Sequence, residues 1–362
     1  MTYDIAIVGA GIAGASLAAA VAPHARVLLL EAEDQAGYHA TGRSAAFWSE
    51  TYGGPGIQPL TSASEAALRD GGFLQPLGSL HIGRAEDAAK IDAFLAAFEG
   101  TAVALARVDP AAFIPGLRPE WTLGVQEPSC AYIDVAALHA AYLATVRRAG
   151  GTIATRAGLE GAERADGVWT IATPSGTYRA AVLVDAAGAW ADPIAARVGA
   201  APIGIQPYRR TIAQIRTDPA STDALPHVAD ISGRFYFKPE SGGRLWLSPH
   251  DETPVDPCDA APEELDVAIA IDRFEQVVDW RVAAVERSWA GLRSFAPDRL
   301  PVYGFDARVP GFFWCAGQGG FGIQTAPAGA AVAASLLLGR PLPDGFEGVD
   351  PERYSPARFA RE

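Results

Sequence analysis

The chain has 362 residues, 49% hydrophobic and 20% charged, with a formal net charge of −13 at pH 7. That length and apolar content suit two domains rather than one, and the acidic balance excludes a nucleic-acid role, which needs a basic footprint. Cys130, Cys258 and Cys315 are scattered and odd in number, with no Cys-x-x-Cys and no His/Cys cluster. Neither a disulfide framework nor a metal site is expected, and a reducing cytoplasm fits.

Residues 3–8 are a short apolar run that reads as a buried strand. Ile12 to Val21 is rich in Ala and Leu and reads as a helix, and residues 26–31 read as a second strand, giving a βαβ unit with a parallel sheet. The apolar stretch 5–30 does not read as a secretion signal. Asp4 stands where a basic region belongs, and Gly9, Gly11, Gly14, Pro23 and Arg26 interrupt the run. No stretch is long and uninterrupted enough to span a bilayer.

Gly9, Gly11 and Gly14 follow the first strand and open the helix, and Glu31 ends the second strand. In a dinucleotide fold Gly9 permits the tight turn, Gly11 lets a pyrophosphate approach backbone, and Gly14 lets helix and strand pack closely. The helix N-terminus, with Ala10, Ile12 and Ala13 around it, supplies N–H groups and positive potential. Glu31, followed by Ala32, can accept hydrogen bonds from ribose hydroxyls and disfavours a 2′-phosphate.

Residues 134–149 carry the clearest helical pattern. Asp134 is an N-cap, Leu138, Tyr142 and Val146 share a face, Arg147 and Arg148 suit the dipole, and Gly150 and Gly151 end it. Strand-like residues 152–155 and 178–185 follow and return the chain to the first sheet. Residues 201–260 carry many prolines, alternating runs at 234–238 and 244–247, and turn signals at 241–243, which favour antiparallel strands. Residues 263–286 read as a helix. Near the C-terminus an apolar run, 312–316, breaks into Gly317, Gly319, Gly320 and Gly322, and a helical run covers 326–338. Two glycine loops so far apart suggest one large cofactor gripped from two sides, and a flavin in particular.

Four further segments carry a family resemblance: residues 37–46, 182–190, 289–295 and the C-terminal glycine loop. In that order they resemble the FAD-dependent D-amino-acid oxidase/dehydrogenase superfamily. The likeness is greatest to the bacterial D-arginine dehydrogenases and also takes in residues 206–210 and 235–239. It implies an α/β (α+β) architecture: a Rossmann-like FAD-binding domain, discontinuous over 1–50, 134–200 and 290–362, with a β-rich antiparallel substrate-binding domain over 51–133 and 201–289.

The resemblance places Thr41, Gly42, Arg43, Ser44, Ala45 and Ala46 along the isoalloxazine and pyrophosphate. It places Leu159, Ala187, Gly188 and Trp190 on the adenosine side, and Gly319, Gly320, Gly322, Ile323, Gln324 and Thr325 at the flavin's pyrimidine edge. Some superfamily members bind flavin covalently through a cysteine shortly before the last βα unit. Residues 288–300 hold none, so noncovalent FAD is expected.

An amino-acid substrate brings a carboxylate, which a planar guanidinium matches in bidentate fashion. The resemblance nominates Arg293 and Arg210 for it, with Tyr236 as a hydroxyl donor, Tyr52 lining the pocket and Gly320 at the flavin. Arg209 and Arg210 face opposite ways if they lie on a strand, so only one reaches the pocket.

The chemistry implied is oxidative deamination: hydride leaves Cα for flavin N5, and water hydrolyses the imine to a 2-oxo acid and ammonia. Where the D-arginine enzymes have a histidine this chain has Phe47, and Ser49 matches a threonine that could order a water. The six histidines do not cluster and read as structural, although His39 adjoins the flavin loop. The stretch 77–83 has no acid where the D-arginine enzymes pair a glutamate with the substrate guanidinium; Leu80 or His81 takes that place. A neutral or hydrophobic D-amino acid is therefore expected. A 2-hydroxy acid, glycine or a sarcosine-like amine stays open, as does a subunit active only in a complex. The electron acceptor and the oligomeric state are open too, and the resemblance alone favours dehydrogenase over oxidase.

Overall fold

The computed structural model describes residues 1–222 and 224–359. The first sheet has eight strands. At its centre Tyr3–Val8 runs parallel to Val27–Leu30 and to Gly176–Asp185, and Phe312–Ala316 adds a further parallel strand beside Gly176–Asp185. Both faces are buried, as in sheets covered by helices on each side. Ile5, Ile7 and Leu29 pack against Leu17, Ala18 and Val332 of the helices Ile12–Val21 and Ala326–Leu338, while Ala6, Val8, Leu28 and Leu30 pack on the other face. Each fully buried Leu or Ile contributes on the order of 1.5–3 kcal/mol.

The helix expected at 134–149 is Val135–Arg148, and Asp134 Oδ1 accepts from Ala137 N at 2.9 Å as its cap.

The second sheet has ten strands and is largely antiparallel. Its strands come from 79–127 and 206–295, and its last member, Gln318–Gly319, belongs to the second glycine loop. That two-residue strand pairs with the end of Arg281–Phe295 through Ser294↔Gly319 and Phe295↔Gln318. The C-terminal glycine loop is thus stitched to the strand that carries Arg293. A third, three-stranded sheet joins Phe47–Trp48, Ala131–Ile133 and Leu74–Pro76.

The helix expected at 263–286 is only Glu264–Glu275, and residues from Arg281 onward are a long strand. Pairing with Gln206–Asp218 along that whole strand supplies backbone partners that outweigh the local helical pattern. Helix Glu264–Glu275 lays Ala270 and Phe274 against Phe237 and Leu245 on the sheet, with Val278 of the following segment in the same cluster. Among the described residues no helix is long and apolar enough to cross a membrane.

Candidate active site

Gly9 has φ +99°, and a Cβ there would stand 2.5 Å from the Ala186 carbonyl oxygen. A Cβ on Gly14 would collide with the Gly9 carbonyl oxygen. These two positions therefore exclude any side chain. Thr41 Oγ1 accepts from Ile12 N at 2.9 Å, so the 41–43 turn leans on the helix N-terminus. Glu31 is nearly buried; Oε2 accepts from Ala10 N at 3.1 Å and Oε1 from Glu33 N at 3.0 Å. His139 donates from Nε2 to the Ala10 carbonyl at 2.8 Å and packs its ring against Gly37; burial holds its pKa below the ordinary histidine value. His39 Nε2 stands 2.9 Å from Glu33 Oε1, and its ring lies 4.6 Å from that of Trp190.

A cleft of about 410 Å³ lies between these parts. One set of walls is Glu31, His39, Leu159, Gly188 and Trp190; another is Gly291, Arg293, Gly319, Gly320 and Ile323. Gly9, Gly11, Ile12, Ala13, Ala32, Thr41, Arg43, Ser44, Ala187 and Gly322 also line it. Other residues assigned to the cofactor take a supporting place. Gly14 and Gly42 press against the Gly9 and Gly37 carbonyls, and Ala45 is buried against Ile212 and Tyr236. Ala46 takes a positive φ of 56°.

Gln324 and Thr325, which the resemblance assigns to the flavin's pyrimidine edge, are not among the residues lining the cleft. Both are buried away from the cleft because their side chains are bonded within the protein. Gln324 Oε1 accepts from Ser49 N at 3.3 Å, and its Nε2 donates to the Tyr52 carbonyl at 3.1 Å and to Thr61 Oγ1 at 2.8 Å. Thr325 Oγ1 donates to the Phe321 carbonyl at 2.9 Å.

Cys315 is buried in its strand, and burial pushes its thiol up to about 12. Cys258, by contrast, is exposed and lines the cleft. Its neighbours explain this. Arg43 donates to the Ala260 carbonyl at 2.7 Å and pairs with Asp259, and Tyr38 donates to Asp259 at 3.2 Å, drawing this segment over the cleft.

At the Arg293 end, sheet register decides which groups meet. Tyr208 pairs with Arg293 and Arg210 with Gly291, which puts Arg210 and Arg293 on one face of the sheet as diagonal neighbours. Arg210 is 2% exposed; Nε donates to the Asp251 carbonyl at 2.7 Å and Nη2 to Glu252 Oε1 at 3.0 Å, while buried Nη1 has no partner. Arg293 is 7% exposed, and its buried Nε likewise lacks a partner. A buried donor left unpaired is costly, so these atoms mark where an acceptor belongs. Tyr236 is buried beside them. Burial raises its phenol pKa, and the charges of Arg210 and Arg293 oppose that without cancelling it.

Aromatic rings pack behind the Gly320 wall; Phe47, Tyr52, Tyr236 and Arg210 are not themselves among the residues lining the cleft. Phe47 lies 5.1 Å from Tyr52, 6.0 Å from Tyr236 and 4.4 Å, stacked, from His227. Gly320 faces Tyr52 so closely that a Cβ there would collide with the Tyr52 hydroxyl.

Ser49, the candidate for ordering a water, has its hydroxyl engaged within the protein. It is buried, and Oγ donates to Glu127 Oε2 at 2.9 Å. Glu127, fully buried on the strand Leu123–Glu127, also accepts from Glu50 N at 2.7 Å and from Thr51 Oγ1 at 2.6 Å. His81 Nε2 is 3.8 Å from its Oε2, an electrostatic contact too long for a hydrogen bond. Burial pushes the Glu127 carboxyl up, but His81 and the Thr51 and Ser49 hydroxyls overcome this and leave it below its ordinary value. Leu80 belongs to the apolar core, so His81 rather than Leu80 stands beside this acid.

The histidines do gather: His227 and His250 flank Tyr236 at 5.6 and 5.7 Å between ring centroids. Ser79 Oγ holds His227 Nδ1 at 3.0 Å, and the buried Nε2 has no partner. Glu127, His227 and His250 sit far apart in the chain, and nothing in their local sequence marks them. Among the described residues no group of acids, histidines and cysteines could hold a metal ion.

Residues 4–336 match the family model described as FAD dependent oxidoreductase, DAO. The chain belongs to this family. Human mitochondrial dimethylglycine dehydrogenase is 26% identical over 251 residues, covering 64% of this chain and 29% of that protein. Glycine oxidase of Pseudomonas aeruginosa is 31% identical over 199 residues, 53% of this chain and 50% of that protein. The matches thus span half or less of these relatives' length. Among solved structures, glycine oxidase from Geobacillus kaustophilus superposes with a TM-score of 0.81 at 24% identity, covering 94% of this chain and 95% of that one. L-proline dehydrogenase from P. horikoshii gives 0.84 at 20% identity over 99% and 98%. Both show the same mixed α/β fold.

The family's cofactor is FAD, and the DAO cleft built here fits it on its own terms. Gly9 and Gly14 admit no Cβ, Glu31 presents a carboxylate at the end of its strand, and a second backbone wall stands opposite. Glu31, Gly11, Thr41 and Gly188 would hold its adenosine and pyrophosphate parts, and Gly319 and Gly320 its ring.

Proposed function

We propose that this FAD-dependent oxidoreductase deaminates a D-amino acid with a neutral or hydrophobic side chain, giving a 2-oxo acid and ammonia. One observation carries the reading. Arg210 and Arg293 lie on one sheet face, Arg293 beside the second glycine loop, each with a buried donor that no described residue satisfies. A carboxylate satisfies both and fixes Cα relative to the cleft.

FAD, when bound, supplies the hydride acceptor. The protein's own residues do the rest. Arg293 and Arg210 take the carboxylate, Tyr236 stands beside them as a hydroxyl donor, and Phe47 and Tyr52 exclude water from the reacting carbon. The amine must lose a proton before oxidation. Both Glu127 oxygens are already engaged, so this acid is not free to take that proton.

Two guanidinium charges next to an aromatic wall disfavour a cationic substrate side chain, and its desolvation without a partner costs several kcal/mol. The D configuration and the dehydrogenase assignment rest on the resemblance to D-arginine dehydrogenases. Noncovalent attachment rests on the absence of cysteine from 288–300.

A second reading is a glycine- or sarcosine-sized amine. The close packing of Phe47, Tyr52 and Tyr236 favours it by leaving little room for a side chain, and relatives named glycine oxidase and dimethylglycine dehydrogenase are in keeping with it. Anaerobic mixing with D-leucine, D-phenylalanine, D-arginine, glycine and sarcosine, followed by flavin bleaching, separates the two. The same panel in air, read by oxygen uptake against dye reduction, distinguishes oxidase from dehydrogenase.

A further inference from the structure

The turn at 49–52 is gripped from two sides by buried side chains from distant parts of the chain. Glu127 holds Ser49 Oγ, Glu50 N and Thr51 Oγ1 at 2.9, 2.7 and 2.6 Å. Gln324, at the entry to the helix Ala326–Leu338, holds Ser49 N and the Tyr52 carbonyl at 3.3 and 3.1 Å. The turn delivers Tyr52 against Gly320 and Phe47. Glu127 itself is fully buried and, among the described residues, engages no arginine or lysine by ion pair, so its charge is balanced by these donors and by His81 at 3.8 Å. Burying a carboxylate this way is expensive unless all its lone pairs are used. Its two oxygens accept three bonds from one turn, which the single hydroxyl of a serine or threonine cannot do, so the acid is committed to that turn.

We propose that Glu127 is a positioning residue for the reaction. Through the 49–52 turn it holds Tyr52 behind the Gly320 wall of the cleft. Gln324 clamps the same turn from the FAD-binding side, so Tyr52 is referenced at once to the cofactor wall and to the ten-stranded sheet. The kinetic part of this inference rests on the amino-acid reading above; the structural part does not.

The test uses FAD-loaded Glu127→Ala, Glu127→Gln, Tyr52→Phe and the Glu127→Ala/Tyr52→Phe pair. Hydrogen exchange of amides 49–54 is read first. Glu127→Ala raises exchange across 49–54. Glu127→Gln keeps it near wild type, because an amide oxygen still accepts from Glu50 N and the hydroxyls can rotate to accept from the amide nitrogen. The kinetic arm uses D-phenylalanine and glycine. Glu127→Ala lowers kcat/KM by about tenfold or more in the wild-type background but only a few-fold at most in Tyr52→Phe, the non-additivity expected of residues acting through one turn. Unchanged exchange at 49–54 in Glu127→Ala, or equal kinetic losses in both backgrounds, overturns the proposal. If Glu127→Ala does not fold, Thr51→Val, which removes one donor to the same oxygen, gives the same comparison. Should wild type oxidise neither substrate, the amino-acid reading fails while the exchange measurement still decides the role of Glu127.

Discussion

Arg209 and Arg210 are neighbours whose side chains leave opposite faces of the strand Gln206–Asp218. Arg209 closes on Glu263 and on Asp266, at 2.8 Å for the latter, whereas Arg210 keeps Nη1 unpaired on the face it shares with Arg293. Arg209 Nε is also buried without a partner, so it is the sheet face shared with Arg293, not the free donor alone, that assigns the binding role to Arg210. Arg210→Met raises KM for the amino acid by roughly 10²-fold, from losing about 2–5 kcal/mol of charged hydrogen bonding. Arg209→Met leaves KM near wild type and lowers Tm. Steady-state kinetics beside a thermal melt checks both, and a KM effect of the same size in the Arg209 variant contradicts the assignment.

Gly320→Ala puts a Cβ into the Tyr52 hydroxyl. Tyr52 is held through its turn and cannot retreat freely, so kcat/KM falls by about tenfold or more. Adding Tyr52→Phe removes the colliding oxygen and recovers much of the loss. Absence of that recovery would mean the clash is relieved elsewhere.

Glu31 binds Ala10 N and Glu33 N with separate oxygens and lines the cleft. Glu31→Gln removes one acceptor from both the loop and a ribose. The FAD dissociation constant rises about tenfold, for a loss near 1.4 kcal/mol, measured by recovery of free-flavin fluorescence on dilution. Acid precipitation of wild type sends all the flavin to the supernatant; flavin retained in the pellet would point instead to attachment at cleft-lining Cys258.

Burial holds His250 down to about 4, with Arg210 and Arg293 adding to the shift and its bond to the Gly233 carbonyl and the charge of Glu252 opposing it. The unfolded value is near 6.5. Between those values the unfolded chain binds more protons, so stability is full above about pH 6.5 and falls as pH drops toward about 4. His227, also held well below its ordinary value by burial, adds to the same window. The Tm of wild type therefore falls more between pH 7 and 4.5 than that of His250→Gln, which has no proton to gain. Parallel curves would contradict the burial argument.

Much of this molecule was legible from local chemistry. The strand Tyr3–Val8, the helix Ile12–Val21 and the helix Ala326–Leu338 follow hydrophobic runs and glycine breaks that act over a few residues. Arg210 and Arg293 could be nominated only by resemblance, through contiguous motifs, whereas their sharing one sheet face follows from register that the motifs do not show. Residues 276–286 were not: their helical pattern yields to a strand ladder whose partner lies more than sixty residues earlier. Glu127 and Ser49 escaped for a related reason. A lone acid at a strand end looks solvent-facing until the 49–52 turn folds over it, and a hydroxyl near a substrate loop looks free until that acid claims it.

The central claim is that Arg210 and Arg293 hold an amino-acid carboxylate at the flavin. Anaerobic stopped-flow mixing of the FAD-loaded protein with D- and L-enantiomers of leucine, phenylalanine and arginine, with glycine and sarcosine alongside, tests it most directly. The prediction is rapid bleaching near 450 nm with D-leucine and D-phenylalanine, slower bleaching with D-arginine, and loss of the reaction in Arg293→Met. Bleaching by L-enantiomers or by D-arginine in preference, or undiminished bleaching in Arg293→Met, would contradict it.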